Sequence, residues 1–326
     1  MDAPYSVAAR FSSRAAIYAA IVGDLLVAAT KFGAAVWTGS SAMLSEGIHS
    51  TVDVGNGLLL LYGLHRGAVP ADRDHPLGHG REVYFWSFVV ALLVFALGAG
   101  VSLYEGVTHI PDADPIQNVR VNYVVLAFSA LFDGSAWWIS LRNFKGKKRY
   151  ADLFGAIHES KDPPSFIVLF EDSAALIGLL IAFAGIYLSV RFNAPVLDGA
   201  ASILIGVVLA VTAALLARET KGLLIGERAD QRIHDSLLRI AGGMEGVAHV
   251  NGVLTIHLAP QQILVGLSLE FADELRTPEI EARVVELERL VRLMHPAVIA
   301  LFVKPQSAGG FVDTAERRHG SGDDDR

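Results

Sequence analysis

Glu46, His49, Asp53 and Asn56 lie inside an otherwise apolar run from about Ala42 to Leu64. At roughly 100° per residue, their offsets put all four side chains within about 80° of arc on one helix face. Leu44, Leu58, Leu59 and Leu61 take the opposite face. A carboxylate turned to lipid costs several kcal/mol, so in a membrane this stripe must face protein or water. An imidazole and a carboxylate one turn apart also supply part of a divalent-metal site. The same pair can simply hydrogen-bond and join helices, and the spacing alone leaves both readings open.

Two other groups carry similar chemistry. Glu171 and Asp172 sit in another apolar run; adjacent residues point about 100° apart, so at most one of them meets His49 and Asp53 squarely, and Asp172 is the choice. A structural reading would pair these acids with a base, and Lys31 is the obvious intramembrane candidate. Asp72, His75 and His79 lie in Asp72-Arg73-Asp74-His75-Pro76-Leu77-Gly78-His79, where short spacings could chelate a metal from a turn entering a helix. Pro76 and Gly78 suit a plain solvated turn equally well.

The elements that must position these residues are long and apolar. Of 326 residues 52% are hydrophobic and the mean hydropathy is +0.42, values of a membrane protein. A formal net charge of -7 argues against a nucleic-acid partner. Without cysteine there is no disulfide and no thiolate ligand, so any metal is held by His, Asp, Glu or amide oxygen.

Six segments are long enough to cross ~30 Å of hydrocarbon at about twenty residues each: Ala15–Trp37, Ala42–Leu64, Val83–Val107, Val119–Leu141, Phe166–Val190 and Val196–Ala217. The first is too long for a signal-peptide core. Arg10 and Arg14 precede it, Arg66, Arg73 and Arg81 follow the second, and Arg142, Lys145, Lys147, Lys148, Arg149 and Lys161 follow the fourth. The alternate connections lack this basic excess, which puts both termini in the cytoplasm. Asp24, in the first segment, reads as facing a neighbour rather than the pathway.

After Arg218 the pattern becomes that of a soluble domain. Gln231–Ala241 is amphipathic, Val247–Leu258 reads as a strand, and Ile263, Val265, Leu267, Leu269 and Phe271 alternate as a second. Glu279–Met294 repeats with helical period after Thr277-Pro278, an N-cap and N1 pair, and Val298–Val303 closes as a third strand. The expected architecture is a membrane all-α domain of six helices, residues 15–218, after a cytoplasmic N-terminus, residues 1–14. A small cytoplasmic α+β domain of order αββαβ, ferredoxin-like, follows over 219–306, and residues 307–326 read as a disordered tail.

Thr38-Gly39-Ser40-Ser41-Ala42 leading to His49-x-x-x-Asp53, then His75-Pro76-Leu77-Gly78-His79-Gly80-Arg81, six spans and an αββαβ tail together resemble the cation diffusion facilitator family. Ser45-Glu46-Gly47-Ile48-His49, Arg81-Glu82-Val83-Tyr84-Phe85-Trp86-Ser87-Phe88 and Glu171-Asp172-Ser173-Ala174-Ala175 look closest to the branch containing the mitochondrial zinc exporter. The resemblance implies a homodimeric exporter of Zn(II) or a similar divalent ion in the inner or plasma membrane, with the ion as substrate, no cofactor, and inward proton flow driving alternating access. It also implies a four-ligand transport site, with His49 and Asp53 from the second helix and Asp172 from the fifth. The position one turn before Asp172, usually a ligand, is Val168; Glu171, Glu46, Asn56 or water is then left to complete the shell. Asp72, His75 and His79 match the ligands of a second metal in the loop. In the C-terminal domain, where the family often binds two more ions, Leu301, Phe302 and Lys304 stand at expected ligand positions. His249 and His257 therefore read as ordinary strand-surface residues.

His49 binds metal only when neutral and carboxylates only when ionised, so protons and metal compete at one site. One imidazole with two or three oxygens keeps Mn(II), Fe(II) and Co(II) plausible beside Zn(II). The competing expectations are a non-transporting dimeric scaffold and an intramembrane metallohydrolase. The second lacks the His-Glu-x-x-His signature.

Overall fold

A computed structural model describes residues 7–111, 115–116, 118–145 and 161–319, with residues 7–20, 143–145 and 314–319 described as helical backbone only. Lys147, Lys148 and Arg149, counted above for orientation, lie outside the described residues, as do the side chains of Arg10, Arg14 and Lys145. The chain divides into two compact units, residues 1–68 with 82–221, and residues 69–81 with 222–326.

The first unit is helical: α1 (Val7–Thr38), α2 (Ser41–Gly67), α3 (Glu82–His109), α4 (Val119–Lys145), α5 (Pro163–Phe192) and most of α6 (Val196–Ile225). Among the described residues five helices, α1 and α3 to α6, are long and apolar enough to cross a membrane. This marks the chain as a multi-pass membrane protein. Helix α2 has the length, 27 residues, but its polar stripe keeps it out of that apolar set. The helices outrun the apolar segments of the sequence, α6 continuing to Ile225, because backbone hydrogen bonding does not stop where lipid-compatible side chains do.

Small residues let these helices approach closely: Ala34, Ala35, Ala42, Ala174, Ala182 and Ala201 are buried together with Met43, Leu179, Ile186 and Ile205. Large apolar side chains such as Leu26, Phe128, Leu131 and Leu180 point outward, the reverse of a water-soluble bundle. Helix α3 is interrupted by a π-helical turn at Val94–Ala99, where an unbroken helix is expected from sequence. Val94 packs there with Val52 of α2 and Ala213 of α6.

The start and end of α2 are both fixed. Ser40 is its N-cap and accepts from the Met43 N–H. Asp198, in the first turn of α6, accepts from Ser40 Oγ (2.9 Å) and from the N–H groups of Ser41 (2.6 Å) and Ala42 (3.3 Å). One buried carboxylate thus satisfies the donors that a helix start leaves over. At the other end Arg66 pairs with Glu82 of α3 at 3.2 Å, and Trp86 Nε1 donates to the same carboxylate at 2.8 Å.

The second unit contains α7 (Gln231–Gly242), β1 (Val247–Ala259), β2 (Gln262–Phe271), α8 (Thr277–Met294), β3 (Val298–Pro305) and α9 (Ala308–His319). The sheet order is β1-β2-β3, with β1 antiparallel and β3 parallel to β2. A parallel neighbour needs a crossover, which α8 supplies. Ile263, Val265, Leu267 and Leu269 are buried with Leu237 of α7 and with Leu287 and Val291 of α8, as the alternation in β2 predicts.

Three expectations change in this unit. The N-cap of α8 is Arg276, one residue early, because Glu279 reaches back to its N–H at 2.7 Å. His257 is buried, with Nδ1 3.3 Å from the Ala259 carbonyl, rather than at the strand surface. Residues 308–319, expected as disordered tail, form α9, whose Phe311 packs against Gly252 of β1.

Candidate metal centre

Helical spacing delivers the α2 stripe as predicted. Glu46, His49 and Asn56 are buried, and His49 Nε2 lies 3.6 Å from Asp53 Oδ2 one turn on. Helix α2 packs against α1, α3 and α5, so protein covers the stripe.

The adjacent acids of α5 are divided between two neighbours. Glu171 is buried and accepts a 2.7 Å hydrogen bond from Asn56 Nδ2 of α2. Asp172 points to α4 and accepts from Ser140 Oγ at 2.8 Å, and Trp137 Nε1 donates to Ser173 Oγ at 3.0 Å beside it. Glu171, not Asp172, is therefore the acid brought to the α2 stripe. The rotational phase of α5 is set by partners on α2 and α4 that its own sequence does not contain. Val168 is 38% exposed and takes no part.

Among the described residues, several polar atoms of this stripe are buried without a hydrogen-bond partner: both ring nitrogens of His49, Asp53 Oδ1, Asn56 Oδ1 and Glu46 Oε1. Each such group costs roughly 1–3 kcal/mol, so their gathering in one place is unexplained by folding alone. The set of imidazole nitrogen, carboxylate and amide oxygen is one that divalent first-row metals accept.

Sequence reasoning missed one network. Lys31 of α1 is fully buried and pairs with Glu46 (3.1 Å) and Asp133 of α4 (3.7 Å), not with Glu171 or Asp172. Its Nζ also donates to Ser50 Oγ at 2.8 Å. Asp133 stands four residues after Ser129 in an apolar helix, and that isolated acid was the available signal.

The loop triad lies in the second unit and is already assembled. Asp72 Oδ2 lies 3.0 Å from His79 Nε2, and Asp72 Oδ1 lies 3.4 Å from His75 Nδ1. Asp72 Oδ1 also accepts from the N–H groups of Asp74 and His75 at 2.9 and 2.6 Å, an Asx-type turn. The two imidazole rings are 4.1 Å apart. Each of the three residues offers a ligand atom, and these lie within 4.8 Å of one another; no other group of three His, Cys, Asp or Glu does so among the described residues. The hydrogen bond with His79, with the His75 N–H second, holds the Asp72 carboxyl below the usual carboxylate range, at about 2. Gly78 has φ +82, a left-handed turn conformation that suits glycine.

A bundle of apolar helices with a buried His and acid stripe, joined to a small α+β unit, defines a membrane cation-handling protein. The sequence pattern of the cation efflux transmembrane domain matches residues 17–225, and the chain belongs to that family of cation transporters, not to an enzyme family. It is 31% identical to metal tolerance protein C4 of Arabidopsis thaliana over 230 residues, which is 70% of this chain and 50% of that protein. It is 31% identical to the mitochondrial proton-coupled zinc antiporter SLC30A9 of Homo sapiens over 198 residues, 60% of this chain and 35% of that protein. It is 25% identical to the cation-efflux pump FieF of Escherichia coli over 281 residues, 85% of this chain and 86% of that protein. The chain thus spans half or less of the plant and human relatives.

Proposed function

We propose that this protein exports a divalent metal cation, Zn(II) first, by alternating access with proton antiport, at a site made by His49, Asp53 and Glu171. The observation that carries the reading is the Asn56–Glu171 hydrogen bond, which joins the α5 acid to a stripe of partnerless buried ligand atoms on α2. The proton-coupled zinc antiporter among the relatives supports the coupling and the metal.

Proton and metal exchange follows from the ligand types. Ionised Asp53 and Glu171 with neutral His49 bind the ion; protonation of the same groups on the acidic side releases it. The His49 and Asp53 ring and carboxylate atoms, 3.6 Å apart, are close enough to share one ion or one proton after a small shift. Asp172, held by Ser140 of α4, lies beside Glu171 and is left out of the ligand set. The proposal includes α2 as the sixth span, both termini in the cytoplasm of an inner or plasma membrane, a ferredoxin-like C-terminal domain and a homodimer. Asp72, His75 and His79 hold a second ion that is bound rather than transported.

Uptake of Zn(II), Mn(II), Co(II) and Fe(II) into proteoliposomes across a pH gradient tests this. Gradient-dependent flux of one ion, lost in Asp53→Ala and Glu171→Ala, supports it. Flux indifferent to both substitutions refutes the site.

A further inference from the structure

Lys31 is a buried cation that the exchange mechanism does not use. Its Nζ is surrounded by Ser50 Oγ at 2.8 Å, Glu46 Oε2 at 3.1 Å and Asp133 Oδ2 at 3.7 Å, from two other helices. Two carboxylates and a hydroxyl gathered about one positive centre are the oxygen ligands a hard cation takes. Ser50 follows Glu46 by one turn and precedes Asp53 by one, so this cluster begins on α2 where the transport ligands begin. Glu46 Oε1 is buried, has no hydrogen-bond partner among the described residues and backs onto Gly178 of α5, where a Cβ would collide with it.

We propose that Lys31 is a tethered cation filling a second cation subsite, Glu46, Ser50 and Asp133, next to the transport site. This rests on the reading of His49, Asp53 and Glu171 as transport ligands. The tethered charge does two things. It holds Glu46 away from the transported ion, and it limits the pair of subsites to one divalent ion. With Lys31 in place the subsite has two acids against one base; without it, two acids and a hydroxyl remain, a formal charge that matches a divalent ion. A lysine that merely glues helices together would change stability on removal but not the number of ions bound.

Equilibrium dialysis of the full chain in detergent against zinc chloride tests this, in an Asp72→Ala/His75→Ala/His79→Ala background that removes the loop triad. Lys31→Met is expected to bind one more ion per subunit than the background, Lys31→Met/Glu46→Gln to return to the background count, and Lys31→Arg to match it. An unchanged count in a folded Lys31→Met protein overturns the inference. If Lys31→Met does not fold, Lys31→Gln, which keeps a polar group against Ser50, is counted instead: one more ion than the background supports the inference, and an unchanged count overturns it. Retention of the background's bundle ion in Asp53→Ala refutes the transport site itself, a separate result.

Discussion

The α2–α5 stripe and the 72–79 loop use the same ligand types in opposite ways. In the loop, three side chains are drawn together by their own hydrogen bonds, with Asp72 bonding His79 and the turn backbone. In the bundle, His49 and Asp53 are buried with partnerless atoms, and the acid that joins them comes from 115 residues away through Asn56. A self-assembled site holds an ion with little reorganisation, whereas a site split between two helices changes when the helices move. On the proposed reading, the loop would hold its ion and the bundle would pass one on.

The largest expected effect is on flux. Asp53→Ala and Glu171→Ala should each lower zinc uptake into proteoliposomes by roughly 100-fold or more, because a lost ligand leaves buried charge unmatched. Asp172→Ala should lower it by less than about tenfold, since Asp172 bonds Ser140 instead. Equal loss in both α5 variants would erase the distinction between the two acids. Next, Asp198→Ala removes the acceptor for three donors at the start of α2 and should cost about 2–3 kcal/mol, read as a lower unfolding midpoint in detergent. His75→Ala or His79→Ala should weaken zinc binding by the loop at least about tenfold while flux through the bundle falls far less. A matching fall in flux would join the two regions into one site.

The smallest effect is a pH effect. The Asp72 carboxyl titrates at about 2 in the folded turn against 3.8 ordinarily, so its contribution is complete above about pH 4 and is lost as pH falls toward 2. Hydrogen exchange at the Asp74 and His75 amides, corrected for intrinsic rate, should show protection over that upper range and lose it below.

Where the signal is periodic, the sequence reveals it. The stripe from Glu46 to Asn56 and the alternation Ile263 to Leu269 both appear in the structure because a helix or strand places side chains by local geometry alone. The choice between Glu171 and Asp172 is not local: it depends on Asn56 and Ser140, and a run that is apolar all round gives no phase of its own. The pairing of Lys31 with Glu46 and Asp133 is hidden for the same reason. The π turn in α3 lies in Val94-Phe95-Ala96-Leu97-Gly98-Ala99, where a shift of hydrogen-bond partner leaves no trace in an unpatterned apolar stretch. Helix α9 is masked by a composition rich in Gly, Asp and Arg, though Phe311 marks its packed side.

The Asp198 clamp makes one end of α2 a pivot. Its bonds to Ser40, Ser41 and Ala42, with Ser41 Oγ 2.6 Å from Ser202 Oγ, tie the start of α2 to α6. A motion of α2 relative to α6 that keeps these bonds would be a swing about Ser40 rather than a slide along the axis, with α3 carried along through the Arg66–Glu82 pair. A helix of 27 residues is about 40 Å long, so a swing of roughly 10° hardly moves the clamped end and displaces the Gly67 end by about 7 Å. His49 and Asp53 sit on the lever arm between them, so such a swing would carry both side chains with it, which is the kind of displacement the proposed alternating access calls for.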